Sequence, residues 1–198
     1  FGEVLRTMLP LGAEVRRGVS VKRVDAGGLE TSDGAVAADR IILASGKHDV
    51  RGVARESDDA DWGMVGFKSY YRLDPAQRRE LEGAVEIVMF DGGYAGIVVQ
   101  EDGSANICLA VRKSLIGEAG ANPSQLLARL AASHPHFALR LEAGWRESRI
   151  DTIGSVPYGW STQETEAGVF RVGDQAAVIP SLAGEGIDIA LASGIAAA

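Results

Sequence analysis

The chain has 198 residues, of which 46% are hydrophobic and 24% charged, and 20 Lys plus Arg against 27 Asp plus Glu give a formal net charge of -7. This length and apolar content suit one compact domain or two smaller units and exclude a chain disordered by composition. The acidic balance argues against nucleic acid as a partner, and no apolar run reaches transmembrane length, so the expected setting is cytoplasmic.

Phe1 to Leu9 reads as a helix entered without an initiator Met, and the chain stops within the small-residue helical run Ile187 to Ala198; a fragment of a longer protein is expected. Ala13 to Arg16 reads as a short strand after the Gly12 turn, and Val19 to Val24 alternates until Gly27-Gly28 breaks it. Leu29 to Ser32, the turn Asp33-Gly34 and Ala35 to Ala37 form a hairpin. Ala38 to Gly46 is then a mostly apolar strand ending in small residues, suited to a buried parallel sheet whose strand ends accept ligands.

From about Asp59 the character changes. Gly63 to Leu73 is strand-like, and Asp74-Pro75 starts a helix over Ala76 to Glu82. Val85 to Phe90, Tyr94 to Gln100 and Ala105 to Val111 follow as strands, separated by Asp91-Gly92-Gly93 and Glu101-Asp102-Gly103. Asn122 caps a helix beginning at Pro123, and Ser148 to Ser155 is extended. Gly168 to Asp174 is strand then turn, and a helix begins at Ile187. The layout is α/β with an inserted α+β unit, divided at 1–58, 59–166 and 167–198, the last part returning to the first.

The most informative stretch runs from Val169 to Ile187. Gly173 permits close approach of a ligand to the backbone, and Asp174 supplies an acceptor at a strand end suited to sugar-like hydroxyls. Pro180 stiffens the connection, and Gly184-Glu185-Gly186 opens a helix whose free amides favour negative charge. Each piece alone is also an ordinary turn or helix entry; their order and spacing point to a ligand such as a reduced isoalloxazine.

Gly173-Asp174-Gln175-Ala176 followed by Pro180-Ser181-Leu182-Ala183-Gly184-Glu185-Gly186 resembles the G-D-x-A and P-x-x-G-x-G motif of flavoproteins with the para-hydroxybenzoate hydroxylase fold. That group includes aromatic-ring monooxygenases, geranylgeranyl-type reductases and flavin-dependent halogenases. The resemblance implies a partial FAD-binding domain over 1–58, a substrate domain over 59–166 and a return to the FAD-binding domain over 167–198. It implies that Asp174 binds the ribityl chain beside Gly173, that Pro180 lies near the isoalloxazine, and that Gly184, Glu185, Gly186 and Ile187 approach its pyrimidine side. Gly46 matches the small-residue turn after the returning strand, although Ala44-Ser45-Gly46-Lys47 departs from the group's commonest A-D-G-x-x-S form, and Val21 falls near the strand lining the adenine pocket. The group's G-x-G-x-x-G loop would precede Phe1.

By the same resemblance a small organic substrate lies between the middle sheet and the flavin, with Tyr94 and Tyr158 as wall residues; scaffold roles explain the same letters equally well. NADH or NADPH is the implied electron donor. The expected activity is an FAD-dependent monooxygenase, with reduction of a carbon-carbon double bond and a non-catalytic remnant as alternatives. Cys108, the only cysteine, excludes an intrachain disulfide and reads as a packed thiol. His134 and His136 flank Pro135 and His48 is remote, which suggests no metal site. No catalytic triad emerges, and no catalytic residue is assigned.

Overall fold

The computed structural model describes residues 2–25, 27–55, 63–142, 144–146 and 148–198. The expected boundary between residues 58 and 59 lies outside these. The chain divides into two compact units, one of Phe1–Ser57, Ser161–Val178 and Gly184–Ala198, the other of Asp58–Trp160 and Ile179–Ala183.

In the first unit, α1 (Gly2–Met8) runs into a 3-10 turn at Leu9–Leu11, which Gly12 ends in the left-handed conformation. Residues 13–16, expected as a strand, are irregular and pair with no other strand. Glu14 and Arg16 bond each other there at 2.7 Å with both side chains exposed, and Val15 is 41% exposed as well, so the segment's alternation finds no strand to pack on among the described residues. A meander follows: β1 (Val21–Asp25), β2 (Gly28–Thr31) and β3 (Gly34–Ala37) pair antiparallel in that order. Thr31 sets the second turn, its hydroxyl donating to Gly34 O at 2.7 Å and accepting from Asp33 N at 3.1 Å. The apolar strand foreseen over Ala38 to Gly46 is β4 (Ile41–Leu43), and it pairs in parallel with β11 (Val169–Arg171), 128 residues later by their matched register. Val24, Ile41, Leu43, Val53 and Val169 form the buried core of this unit. The last helix, α6 (Gly186–Ala197), packs against the 3-10 turn Gly173–Gln175 and leaves Ile187, Leu191 and Ile195 exposed on one stripe.

The second unit is built on one antiparallel sheet. β5 (Met64–Leu73), β6 (Val85–Phe90), β7 (Gly93–Val99), β8 (Ala105–Arg112) and β10 (Asp151–Ile153) stand in the order β10-β5-β8-β7-β6, with β9 (Gly144–Arg146) also on β5. The two-residue turn Asp91-Gly92 joins β6 to β7, Gly92 taking φ 83 where a side chain would be strained. In α2 (Pro75–Leu81) the Asp74 carboxylate accepts from Ala76 N and Gln77 N, and in α4 (Pro123–Ser133) the Asn122 side chain accepts from Ser124 N and Gln125 N. Two helices were not foreseen, α3 (Lys113–Glu118) and α5 (Pro135–Glu142).

Strand alternation decides the core. Phe67, Tyr71, Ile97, Ile107, Leu109 and Val111 point to the face covered by α4 and α5, where they meet Leu126, Leu130 and Phe137. At the rim of this core Arg140 is buried and bonds Glu86 twice, at 2.9 and 3.2 Å, and Glu80 at 2.8 Å. The two carboxylates, Glu86 first, hold its guanidinium above the ordinary arginine range. Removing the cation strands a largely buried carboxylate, so Arg140→Ala is expected to lower stability by about 2–4 kcal/mol in urea unfolding. A loss within the scatter of surface substitutions would show that the cluster is only a solvated rim.

Candidate functional site

β4 and β11 end side by side at Leu43 and Arg171. Open α/β sheets bind ligands beyond the carboxyl ends of such strands. Val172 N donates to Leu43 O at 3.1 Å, extending the pair by one bond before the chain turns at Gly173. Gly173 has φ 57, and a Cβ there would stand 3.4 Å from Ala190 Cβ of α6. The left-handed conformation therefore favours glycine here, and the helix comes to within van der Waals contact of the position. Its amide donates to Ser193 Oγ at 2.8 Å, which fastens the turn to α6.

A buried polar clasp joins the two strand ends. Gln175 is 0% exposed; its Nε2 donates to Gly46 O at 2.7 Å and His48 O at 2.8 Å, and its Oε1 accepts from Arg171 at 3.3 Å. Arg55 Nη2 donates to Gly46 O at 2.6 Å and to Asp174 O at 2.8 Å. The Asp174 carboxylate, left half-buried, faces Lys47 Nζ at 3.1 Å through Oδ2. Its Oδ1 makes no hydrogen bond among the described residues. Replacing Gln175 with Leu deprives the carbonyls of Gly46 and His48 of a buried donor, and a loss of about 2–3 kcal/mol in denaturant unfolding is expected.

The start of α6 is open. Glu185 caps it without a side-chain bond, and a Cβ at Gly184 or Gly186 would meet nothing within 4 Å. Gly184 has φ 78, and Ile187 is exposed. First-turn amides with no side-chain cap can take an electron-rich group. Gly46, Gly173, Asp174 and the Gly184–Ile187 segment thus offer a hydrogen-bond acceptor, an uncapped helix start and glycines that leave room.

The remaining expected residues lie elsewhere. Val21 opens β1 and pairs with Thr31, and no described contact joins it to the clasp. Pro180 belongs to the second unit, where its carbonyl accepts from Ala183 N at 2.9 Å. That unit also brings Tyr94 and Tyr158 together around Ser181, with Tyr158 Oη 2.9 Å from Ser181 Oγ. Cys108 is half-buried with its thiol pushed up by burial, the wrong direction for a nucleophile. His134 donates from Nδ1 to Leu130 O at 2.9 Å and tilts against Phe90. Lys47, Arg55, Gln175 and Ser181 were not singled out in the sequence. Lys47, directly after Gly46, and Gln175 and Ser181, inside the motif, carried a local signal; Arg55 carried none.

Burial, with Tyr158 adding to it, pushes the Tyr94 phenol from 10.0 up to about 12. The folded chain thus keeps a proton that the unfolded chain releases, so this contribution to stability is complete below pH 10 and fades as pH rises from 10 to about 12. Unfolding followed across that interval should show an alkaline decline that Tyr94→Phe flattens; identical profiles for the two proteins would refute the burial of this hydroxyl.

No family model matches the chain, and no curated protein matches it by sequence. Solved structures do. CmlS, a flavin-dependent halogenase, has a TM-score of 0.71 at 18% identity over 98% of this chain and 38% of its own. The myxobacterial chondrochloren halogenase CndH, a variant of FAD-dependent halogenases, has 0.74 at 18% over 98% and 47%. The peptidyl tryptophan dihydroxylase QhpG has 0.64 at 22% over 98% and 44%. The chain therefore has the fold of part of these proteins, two of them flavin-dependent halogenases, and spans less than half the length of each. No helix among the described residues is long and apolar enough to cross a membrane.

Proposed function

We propose that this chain is part of an FAD-dependent oxidoreductase that inserts one oxygen atom into a small organic substrate, with NADH or NADPH as electron donor. The observation that carries the reading is the pairing of a strand-end carboxylate, Asp174, with an uncapped helix start at Gly184–Gly186 in the same unit. When bound, FAD supplies the two electrons with which dioxygen is divided between product and water.

The chain's own residues bind and tune. Asp174 accepts from ribityl hydroxyls through the oxygen that Lys47 leaves free. Gly173 and Gly46 let the backbone come close, and the clasp of Gln175 and Arg55 holds both turns in place. The first-turn amides of α6 favour negative charge on the reduced ring, a contribution of ~0.3–1 kcal/mol when exposed and up to ~2 when partly buried. Such a term adjusts reactivity and leaves the bond-making to the cofactor. Tyr94 and Tyr158, with their hydroxyls gathered at Ser181, offer both an apolar wall and a polar rim to substrate.

Halogenation is the second reading, favoured by the likeness to CmlS and CndH. Turnover under labelled dioxygen separates the readings: label in the product supports oxygen insertion, and a halide-dependent product without label supports the second. Product formed without oxygen would sink both in favour of a reductase. For the cofactor, Asp174→Ala is expected to weaken FAD retention in the full-length protein by roughly 10- to 100-fold, the range of a hydrogen bond to a charged group. Flavin absorbance after dilution and gel filtration reads this, and unchanged retention would remove Asp174 from the site.

A further inference from the structure

The sheet of the second unit has a second face, opposite its core. On it the strand register sets Lys68, Cys108, Gly96 and Ile87 side by side across β5, β8, β7 and β6. The next rung on one side carries Tyr70, Asn106, Val98 and Val85; on the other, Ala110 stands beside Tyr94 and Met89. Val85, Ile87 and Met89 are 65%, 48% and 59% exposed, so the β6 end of the face is apolar and open.

Among the described residues nothing occupies the space a side chain at position 96 would take. A Cβ at Gly66 would meet Ile153 Cγ2 at 2.8 Å, and one at Gly93 would collide with the carbonyl of Ala110. At Gly96 a Cβ would meet nothing within 4 Å, and the backbone there is not left-handed. A glycine inside a strand forgoes side-chain packing and costs conformational entropy, and close approach of a ligand or of another backbone is a reason to keep one.

The other end of the rung is cationic. Lys68 Nζ lies 4.8 Å from the centre of the Tyr70 ring. Lys68 bonds the Tyr70 side chain and is attracted by Asp151, its neighbour on β10, which itself bonds Arg149 at 2.9 Å; Lys68 forms no salt bridge among the described residues. From Lys68 to Ile87 the rung crosses three strand spacings, about 14 Å. That span is too long for a single ring and matches a molecule with an acidic head and an extended apolar body.

We propose that this face binds an elongated amphipathic organic acid, with its anionic group at Lys68 and its apolar body over Gly96 toward Ile87 and Met89. That the acid is the substrate rests on the flavin reading; its binding here does not. Biphenyl-4-carboxylate and its neutral carboxamide test the two ends, titrated calorimetrically into the full-length protein. The carboxylate should bind more tightly than the carboxamide, and it should slow maleimide labelling of Cys108, read on its tryptic peptide. Lys68→Met should weaken the carboxylate by about three- to tenfold and leave the carboxamide unchanged. Gly96→Val should weaken both. Melting temperatures show whether the variants are folded, and if either is not, acid-over-amide preference and Cys108 protection in the unaltered protein decide. Equal affinity for acid and amide, or labelling of Cys108 indifferent to the carboxylate, would overturn the proposal. Flavin absorbance of the same samples is a separate readout: binding of the acid without flavin would retain this site and reject the redox reading.

Discussion

The carbonyl of Gly46 receives two buried donors, the amide of Gln175 and the guanidinium of Arg55, and the geometry of the strand-end corner follows from that. β4 and β11 contribute three residues each, too few for a parallel pair to be stable alone. The clasp ties the loop after β4 to the turn after β11 across 129 and 119 residues of sequence. Arg55 also bonds the backbone of Asp174, so the carboxylate is aimed by its main chain and its side chain stays available to Lys47 and a ligand. Polar groups at such a position are costly when half-satisfied, which makes the corner either correctly formed or absent.

α6 is the other half of this constraint. Its contact with the Gly173 turn runs through Ala190 and Ser193, small residues that let the helix come within reach of the strand end. A helix that close leaves its first turn near the same turn it packs on, and Gly184 and Gly186 keep that first turn bare. Ala190 and Ser193 of α6 thus serve packing while Gly184 and Gly186, before and at its first residue, leave its start bare, although the sequence shows both as one run of small side chains.

What could be read in advance follows from where each signal lies. The strands of the second unit were legible because Asp91-Gly92 and Asp102-Gly103 mark turns, and α2 and α4 because Asp74-Pro75 and Asn122-Pro123 mark helix starts. α3 was missed because it follows β8 with no turn residue between Arg112 and Lys113, and α5 because His134-Pro135 resembles a break as much as a start. Ala13 to Arg16 has a strand's letters but no neighbour to pair with, a tertiary fact. At the corner, Asp174 and the glycines were legible as a spaced motif. Arg55 was not, because its partners are carbonyls and any residue can supply one.

The sheet's open face shows the same limit from the other side. Alternation sorts residues into two faces without saying which is covered, and Val85, Ile87, Val98 and Met89 are as apolar as the residues of the core. Coverage is decided by where α4 and α5 place Leu126, Leu130 and Phe137. Once that face is filled, the exposed apolar side chains on the other require a reason of their own, and Gly96 and Lys68 share a rung with one of them. A surface that was merely solvated would tolerate a β-branched residue at position 96 and gain packing from it. Gly117, Gly154 and Gly194 are as bare as Gly96, and isolated exposed hydrophobics are common on any protein, so it is the rung shared by Gly96, Lys68 and Ile87, rather than any one of them, that sets this face apart.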